Sequence, residues 1–585
     1  MPAAAPRRAL NIPVSMQWLL IYALISVIIV MPIFGEGVYF LSHEFLQVPL
    51  RIIETKNAFQ SGQWPPAVLP DVVGGLGSGW YIFYPPLAYW VAYALFAMGF
   101  SVLSAIKISY FLMFFFSGVS MYACLSRMGY TTGAAGIGGA LYLSAPYHLI
   151  DLYVRNAYAE TFSFIWVPLI FLGLWDIFRG DGRKGWVLAL GFSGVALSHL
   201  ITVFYSLIFA LLFSILMLVK YPRILKMRTF WRSVGLSTGI TILLIAFFAL
   251  PFVEHAQLGI YAAFDPSLKA EFAILPDIVH GFAIPLKSIF RLDLTLAHDT
   301  LGALGYQHQG PQMPYNLGIH LLVFALMGLY LGRYRFEVWL FAALLLLSIF
   351  ATTQWMPWQS LPGVFSVIQF PWRLLLFASF FCVVLATHFF DGIIRLWPAR
   401  SNLIVFTSAV GLCFYLYSAL VTVTPTQIAP DAWLSKDQFY QRGANGGAEH
   451  LPSRFRRMLA PNTSEIDVNL QRAKILHGDG SFTNYQRSGT NHAFELQGKL
   501  ANQVIRIQLP AVYYLGYSLN DVNLKKQNLF PCDNGLICAD VTPGKYMMTY
   551  GATLLAKIGN TLSIMGLVSL LVFGWRSRNI GTAKI

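Results

Sequence analysis

Charged side chains are scarce in this 585-residue chain. Asp, Glu, Lys and Arg make up 11% of it, against about 25% in ordinary soluble domains, a shortfall that excludes a water-soluble globular protein. Cysteine is scarce too, at five residues, and no pair of them has the neighbouring Cys or His partners of a zinc site. Also missing are an internal repeat, a phosphate-cradling glycine loop and a paired metal motif, so no nucleotide or metal chemistry is signalled. The cluster Gly74, Gly75, Gly77 and Gly79 reads as a flexible loop. The first apolar run has no small-residue cleavage site close behind it and reads as an uncleaved signal anchor.

What is present is apolar surface: 56% of residues are hydrophobic and the mean hydropathy is +0.59. Runs long enough for a hydrocarbon core of about 30 Å recur near 16–35, 80–98, 104–125, 134–147, 162–178, 186–200, 201–219, 233–252, 315–332, 336–351, 373–390, 402–424 and 552–574. In lipid the backbone must satisfy its own polar groups, so these runs are helices, and the expected fold class is an α-helical polytopic membrane protein with about 12–13 spans. The formal charge of +14 concentrates beside the runs, at Arg7/Arg8, Arg127, Arg179/Arg183/Lys184, Lys220 to Arg232, Arg333/Arg335, Arg395/Arg400 and Arg576/Arg578. That is the positive-inside pattern of cytoplasmic loops, it carries no implication of nucleic acid, and it places both termini in the cytoplasm. Thirteen crossings cannot do so: either the run 80–98, with Tyr84-Pro85-Pro86 near its start, is re-entrant or interfacial and leaves twelve spans, or a span between residues 36 and 125 is overlooked or miscounted.

The longer polar connections then face outward: 36–80, 148–161, 253–314, 352–372 and 425–551. The first four belong with a transmembrane domain, 1–424. The fifth is β-rich and turn-punctuated, as in NQVIRIQLPAVYYLGYSL, and reads as a small extracytoplasmic β-sandwich-like domain ahead of a last helix and tail, 552–585. Cys532 and Cys538 enclose its DNGLI turn and suit a disulfide in an oxidising compartment. Cys124, Cys382 and Cys413 lie in apolar runs as packed thiols.

Polar residues at the outer membrane boundary carry the functional signal. His43 and Glu44 follow the first apolar run, with Arg51 seven residues on; Pro49 argues that the helix begins there and leaves Glu44 on the preceding loop. Asp151, Arg155 and Glu160 stand in PYHLIDLYVRNAYAE, His199 at the turn of the hairpin 186–219, Glu254 after Pro251, and Arg373 in IQFPWR. Such charges border cavities or pathways in membrane proteins. A guanidinium matches phosphate oxygens with a fork of donors and a carboxylate can take a proton from a hydroxyl, so acids and arginines at one depth suit transfer of a group from a lipid phosphate.

The order of these elements is that of a known group. The layout resembles the GT-C superfamily of polytopic glycosyltransferases, and more closely the bacterial 6-pyruvoyl-tetrahydropterin-synthase-related membrane protein family, a label that describes a domain association rather than an activity. His43-Glu44, Arg51-Ile52, Tyr84-Pro85-Pro86, Pro146-Tyr147 with Asp151, Tyr153, Arg155 and Glu160, then Ser198-His199 and Gln369 to Arg373 are similar to that family's elements. Two departures stand out: Glu44 replaces an aspartate and Val48 stands where a second histidine is expected.

The resemblance implies an inverting transferase in the bacterial inner membrane that moves a sugar from a polyprenyl-phosphate donor to a glycan, lipid or protein acceptor on the extracytoplasmic face. It implies Glu44, with His43, as the catalytic pair. Arg51, Tyr84, Asp151, Arg155, Glu160, His199, Glu254 and Arg373 would then serve the donor phosphate and substrate, with no metal or other cofactor. A transporter or flippase of a phosphate-bearing glycolipid, and a non-catalytic subunit of glycan assembly, are the alternatives.

Overall fold

The computed structural model describes residues 16–40, 42, 44, 47–179, 185–265, 276–292, 294, 296, 314–423, 425–427, 448–458 and 466–579. It is a mostly helical membrane protein with a small β-domain near its C-terminal end. Among the described residues eight helices have the length and apolarity to cross a bilayer, and four shorter apolar helices accompany them. The run 80–98 is not one span. It breaks at Tyr84-Pro85-Pro86 into Trp80–Phe83 and Leu87–Ala97, and the second piece rises only about 16 Å at 1.5 Å per residue, half a hydrocarbon core.

Helix Leu375–Leu396 is the bundle's axis, buried on nearly every side, as an all-round apolar helix must be. Helix Thr132–Leu143 presses against it and against the first helix, Met16–Val30, because it is built from small residues. A Cβ at Gly136 would lie 1.9 Å from the Trp18 ring, and one at Gly139 2.2 Å from the Tyr22 hydroxyl. Small residues let helices approach where lipid gives no hydrophobic drive. The last helix, Leu554–Asn579, packs along Arg228–Ala256 by the same device. Gly559 faces the Ala246 carbonyl and Gly566 the Leu244 backbone. Between them the Ser563 hydroxyl donates to the Leu243 carbonyl at 2.9 Å and accepts from the Phe247 N–H at 2.9 Å. Cys124 and Cys382 are buried, whereas Cys413 is exposed on Ser401–Leu420; a thiol is apolar enough for a lipid-facing position.

Eleven strands are described: β1 (Val38–Phe40), β2 (Pro425–Gln427), β3 (Lys474–His477), β4 (Gly480–Ser488), β5 (Asn491–Gly498), β6 (Ile505–Val512), β7 (Tyr517–Asp521), β8 (Lys526–Gln527), β9 (Leu529–Pro531), β10 (Leu536–Val541) and β11 (Gly544–Tyr550). β1 pairs antiparallel with β2, Tyr39 opposite Thr426. The β-domain has two sheets, ordered β3-β6-β10-β9 and β4-β5-β11-β7-β8. Ile507, Leu509, Ile537, Phe494, Leu519 and Met548 are in its core. Cys532 and Cys538 are disulfide-bonded across the turn between β9 and β10.

This domain stands on the first long connection. The Val512 N–H donates to the Leu76 carbonyl at 2.8 Å, and Arg487 donates to the Pro70 carbonyl at 2.8 Å and the Asp71 carboxylate at 2.9 Å. The glycine cluster is therefore a packed contact and not a free loop. Gly75, at φ +82°, brings its backbone so near Arg487 that a Cβ would sit 2.5 Å from the guanidinium, a conformation and an approach that only glycine allows without cost.

Candidate functional site

Helix Gln47–Gln60 lies at the end of the bundle that carries the β-domain. It starts two residues before Pro49, which occupies the first turn, where its missing N–H is no loss. The carbonyl of Glu44 receives the N–H of Gln47 at 3.1 Å and of Val48 at 3.3 Å, so Glu44 sits in the turn that enters the helix, its side chain one-third exposed. One turn in, Arg51 is buried. Its guanidinium donates to Gln47 Oε1 at 2.6 Å and the Tyr89 hydroxyl at 2.7 Å, and lies 3.4 Å from Glu44 Oε2. The Trp80 ring covers it at 3.7 Å, with Tyr84 5.8 Å away. Burial pushes the Tyr84 hydroxyl well above its ordinary pKa, so it stays a neutral donor.

The second group comes from the junction after helix Thr132–Leu143. One helical turn, Pro146–Ile150, runs into a π-turn, Asp151–Arg155, and Asn156 ends it at φ +53°. Asn156 holds that left-handed conformation through hydrogen bonds with Tyr39, at 2.9 Å, and Tyr110. Arg155 bonds Asp151 four residues back and donates to Glu160 Oε2 at 2.8 Å. Arg373 Nε reaches the same oxygen at 3.2 Å, and Tyr147 donates to the other at 2.6 Å. One carboxylate thus holds two guanidinium groups, with Asp151, Arg155, Glu160 and Arg373 all buried. Arg373 is fixed further by Gln369 Oε1 at 3.0 Å, and Trp372 lies 4.4 Å over Arg155. The pair 151/155 is thus no surface salt bridge.

Burial drives the Asp151 carboxyl well above the usual carboxylate range, against the pull of Arg155. Its Oδ2 is buried with no hydrogen-bond partner. His199 caps Leu200–Lys220, 2.8 Å from Thr202 Oγ1. Burial lowers its pKa to about 3, outweighing the opposite effect of the neighbouring Glu160, so the imidazole is neutral.

The two groups are one assembly, since the Glu44 N–H donates to the Arg155 carbonyl at 3.3 Å. Glu254 is the exception among the expected residues. It accepts from Thr553 at 2.5 Å, because the last helix packs along its own helix, and so serves that packing. His43 lies outside the described residues.

Gln47, Trp80, Tyr89, Tyr147, Gln369 and Trp372 were not among the expected site residues. Gln47 stands four before Arg51, a helical spacing that signals a pair, and Tyr147 and Trp372 sit inside motifs already singled out. Tyr89 gave no signal within its apolar run.

Beside the assembly an apolar groove of about 580 Å³ runs between five helices, lined from Trp18, Ile404 and Phe390 to His320 and Tyr415. At its His320 end only Gly318 separates the lining from the turn that leads to Asp151, since a Cβ there would touch both His320 and Pro146.

Residues 81–292 match the family model of the 6-pyruvoyl-tetrahydropterin synthase related domain, a membrane protein. The match bears out the resemblance read from the motifs. It takes in Tyr84, Asp151, Arg155, Glu160 and His199 and leaves Glu44, Arg51, Arg373 and the β-domain outside. An uncharacterised protein of Lactococcus lactis subsp. cremoris (strain MG1363) is 25% identical over 262 residues, 44% of this chain and 42% of its own length. The cryo-EM structure of arabinofuranosyltransferase AftD from Mycobacteria superposes with a TM-score of 0.44 at 14% identity, over 72% of this chain and 28% of that one. A mutant form of the same enzyme gives 0.41. The chain thus spans less than half the length of each of these relatives.

Proposed function

We propose that the protein is an inverting glycosyltransferase that takes its sugar from a polyprenyl-phosphate donor and works on the extracytoplasmic face of the bacterial inner membrane. The observation that carries this reading is the bond between Glu44 and Arg155, which holds a partly exposed acid beside a buried anion site. Glu44 accepts the proton of the acceptor hydroxyl as that oxygen attacks the anomeric carbon. The bond to the phosphate oxygen breaks on the opposite face, and the leaving group departs as a lipid phosphate.

Arg155 and Arg373 meet the charge that develops on that phosphate. Glu160 orients both guanidiniums without cancelling their joint charge, and burial favours the protonated form of Asp151, whose Oδ2 has no protein partner. The apolar groove takes the isoprenoid chain, its His320 end lying across Gly318 from Pro146. Fixed guanidinium charge suffices for a phosphate leaving group, so no metal enters this scheme. The acceptor is a glycan, lipid or protein that reaches Glu44 from the side of the β-domain.

The test is transfer from a polyprenyl-phosphate-linked sugar by purified protein and its Glu44→Gln variant. The variant is expected to bind the donor lipid and to form no glycosidic bond. Full activity in it removes Glu44 from the chemistry, and translocation of donor without a new bond by the unaltered protein favours the transporter reading.

A further inference from the structure

The turn that joins helix Leu200–Lys220 to helix Arg228–Ala256 is rich in cations: Lys220, Arg223, Lys226, Arg228 and Arg232. The chain has no Asp or Glu between Asp181 and Glu254. The turn lies a full helix length from His199, about 32 Å at 1.5 Å per residue, and so at the end of the bundle opposite the guanidinium assembly. Other helix-end arginines are paired with acids: Arg127 with Asp176, Arg179 with Glu337 and Arg395 with Asp391. Arg223, Lys226, Arg228 and Arg232 are exposed, and among the described residues none of the four makes a hydrogen bond or an ion pair. Glu337, the acid that reaches this turn, is already held by Arg179 and by the Tyr221 hydroxyl at 3.2 Å.

Apolar side chains are exposed between these charges. Leu225, Met227 and Trp231 are 43%, 53% and 57% exposed. The Trp231 indole N–H donates to the Leu225 carbonyl at 2.8 Å, which holds the short helix Pro222–Lys226 against the start of the long one and makes one surface of the two. Helix Arg228–Ala256 has 29 residues, about 44 Å of rise against a hydrocarbon core of about 30 Å. Unpaired arginines do not lie in that core, so its first turns stand in the headgroup layer. No side chain caps the helix there and its first turn holds no acid, which leaves the positive end of its dipole open to an anion.

A free phosphate would match the charge and leave Leu225, Met227 and Trp231 wet. Hydrocarbon alone would cover those three and strand the cations. A phospholipid surface satisfies both, with acyl carbons against the apolar side chains and phosphate oxygens against guanidiniums whose fork of donors fits them. We propose that the turn 220–232 is a binding surface for anionic phospholipid headgroups, in the leaflet opposite the guanidinium assembly. The surface does not depend on the transferase reading, because lipid binding is measured with no sugar present.

The experiment is native mass spectrometry of the full-length protein in detergent, with phosphatidylglycerol as the anionic probe and phosphatidylcholine as the zwitterionic one. Phosphatidylglycerol is expected to bind saturably and about tenfold tighter. Each cation near an anionic surface contributes roughly a fivefold factor. Arg228→Gln combined with Arg232→Gln is therefore expected to weaken phosphatidylglycerol about 30-fold and to leave phosphatidylcholine unchanged. Lys525→Gln combined with Lys526→Gln, an equal change of charge on the β-domain, is expected to alter neither. On the unaltered protein, a diazirine-bearing phosphatidylglycerol is expected to cross-link within residues 220–232. Excess unlabelled phosphatidylglycerol abolishes that cross-link, whereas inorganic phosphate and polyglutamate do not. Equal binding of the two lipids, full affinity in the paired arginine variant, cross-links that avoid the turn, or displacement by phosphate or polyglutamate overturns the proposal.

Discussion

The backbone N–H of Glu44 donates to the carbonyl oxygen of Arg155 at 3.3 Å. Two segments more than a hundred residues apart are thereby joined main chain to main chain, so the side chains of Glu44 and Arg155 start from fixed points relative to one another.

That carbonyl points at Glu44 because Asn156 closes the π-turn in a left-handed conformation. Asn156→Ala loses the bonds to Tyr39 and Tyr110 and puts at φ +53° a residue without asparagine's tolerance of the left-handed region. The left-handed region costs about 1–2 kcal/mol for an ordinary residue, and each lost bond about 1 kcal/mol. Thermal unfolding in detergent is expected to fall by several degrees, and sugar transfer to drop more steeply than donor binding.

Glu160→Gln removes the one negative charge shared by two buried guanidiniums. Breaking a buried pair costs about 3–5 kcal/mol, so this variant is expected to be among the least stable single changes in the protein. Tyr147→Phe, which deletes the hydrogen bond to the other oxygen and a long one from Arg155 at 3.4 Å but no charge, costs about 1 kcal/mol. Equal melting temperatures for the two variants would contradict the shared-carboxylate arrangement.

Asp151 gives the site a pH dependence whose sign is fixed by burial. Its folded pKa is raised, so the folded protein holds a proton that the unfolded chain releases. The stability linked to that proton is complete below the unfolded carboxylate range and is lost as pH rises through the folded pKa. Above that point a second negative charge faces Arg155 and offsets the anion site. Affinity for an isoprenoid phosphate is expected to weaken over the same rise, and Asp151→Asn is expected to flatten the profile.

Gly559→Leu places a side chain where a Cβ already meets the Ala246 carbonyl at 2.6 Å. Overpacking of this kind costs about 1–3 kcal/mol. Limited proteolysis is expected to cut near residues 551–553 faster in this variant, because the last helix separates from its partner, while the Cys532–Cys538 bond keeps the β-domain itself resistant.

Much of this site was legible in the chain because lipid makes charge conspicuous. Arg155 and Arg373 stood out against apolar surroundings, and the order of His43-Glu44, Tyr84-Pro85-Pro86 and IQFPWR carried the family resemblance. Glu254 stood out on the same ground and belongs elsewhere, since composition marks a charge without saying which helix it will face. The π-turn at 151–155, the packed glycines at 74–75 and the role of Tyr89 were not legible. Each depends on a partner remote in sequence: Asn156 on Tyr39, Gly75 on Arg487, Tyr89 on Arg51.

The ribbon formed by β1 and β2 bears on biogenesis. Val38–Phe40 leaves the translocon long before its partner Pro425–Gln427, which follows only after the helix ending at Leu420. Glu44 lies four residues beyond that ribbon, so its final anchoring waits on nearly the whole bundle. A chain that ends before Pro425 therefore lacks the strand that flanks Glu44, and under the proposed function such a chain is expected to transfer no sugar.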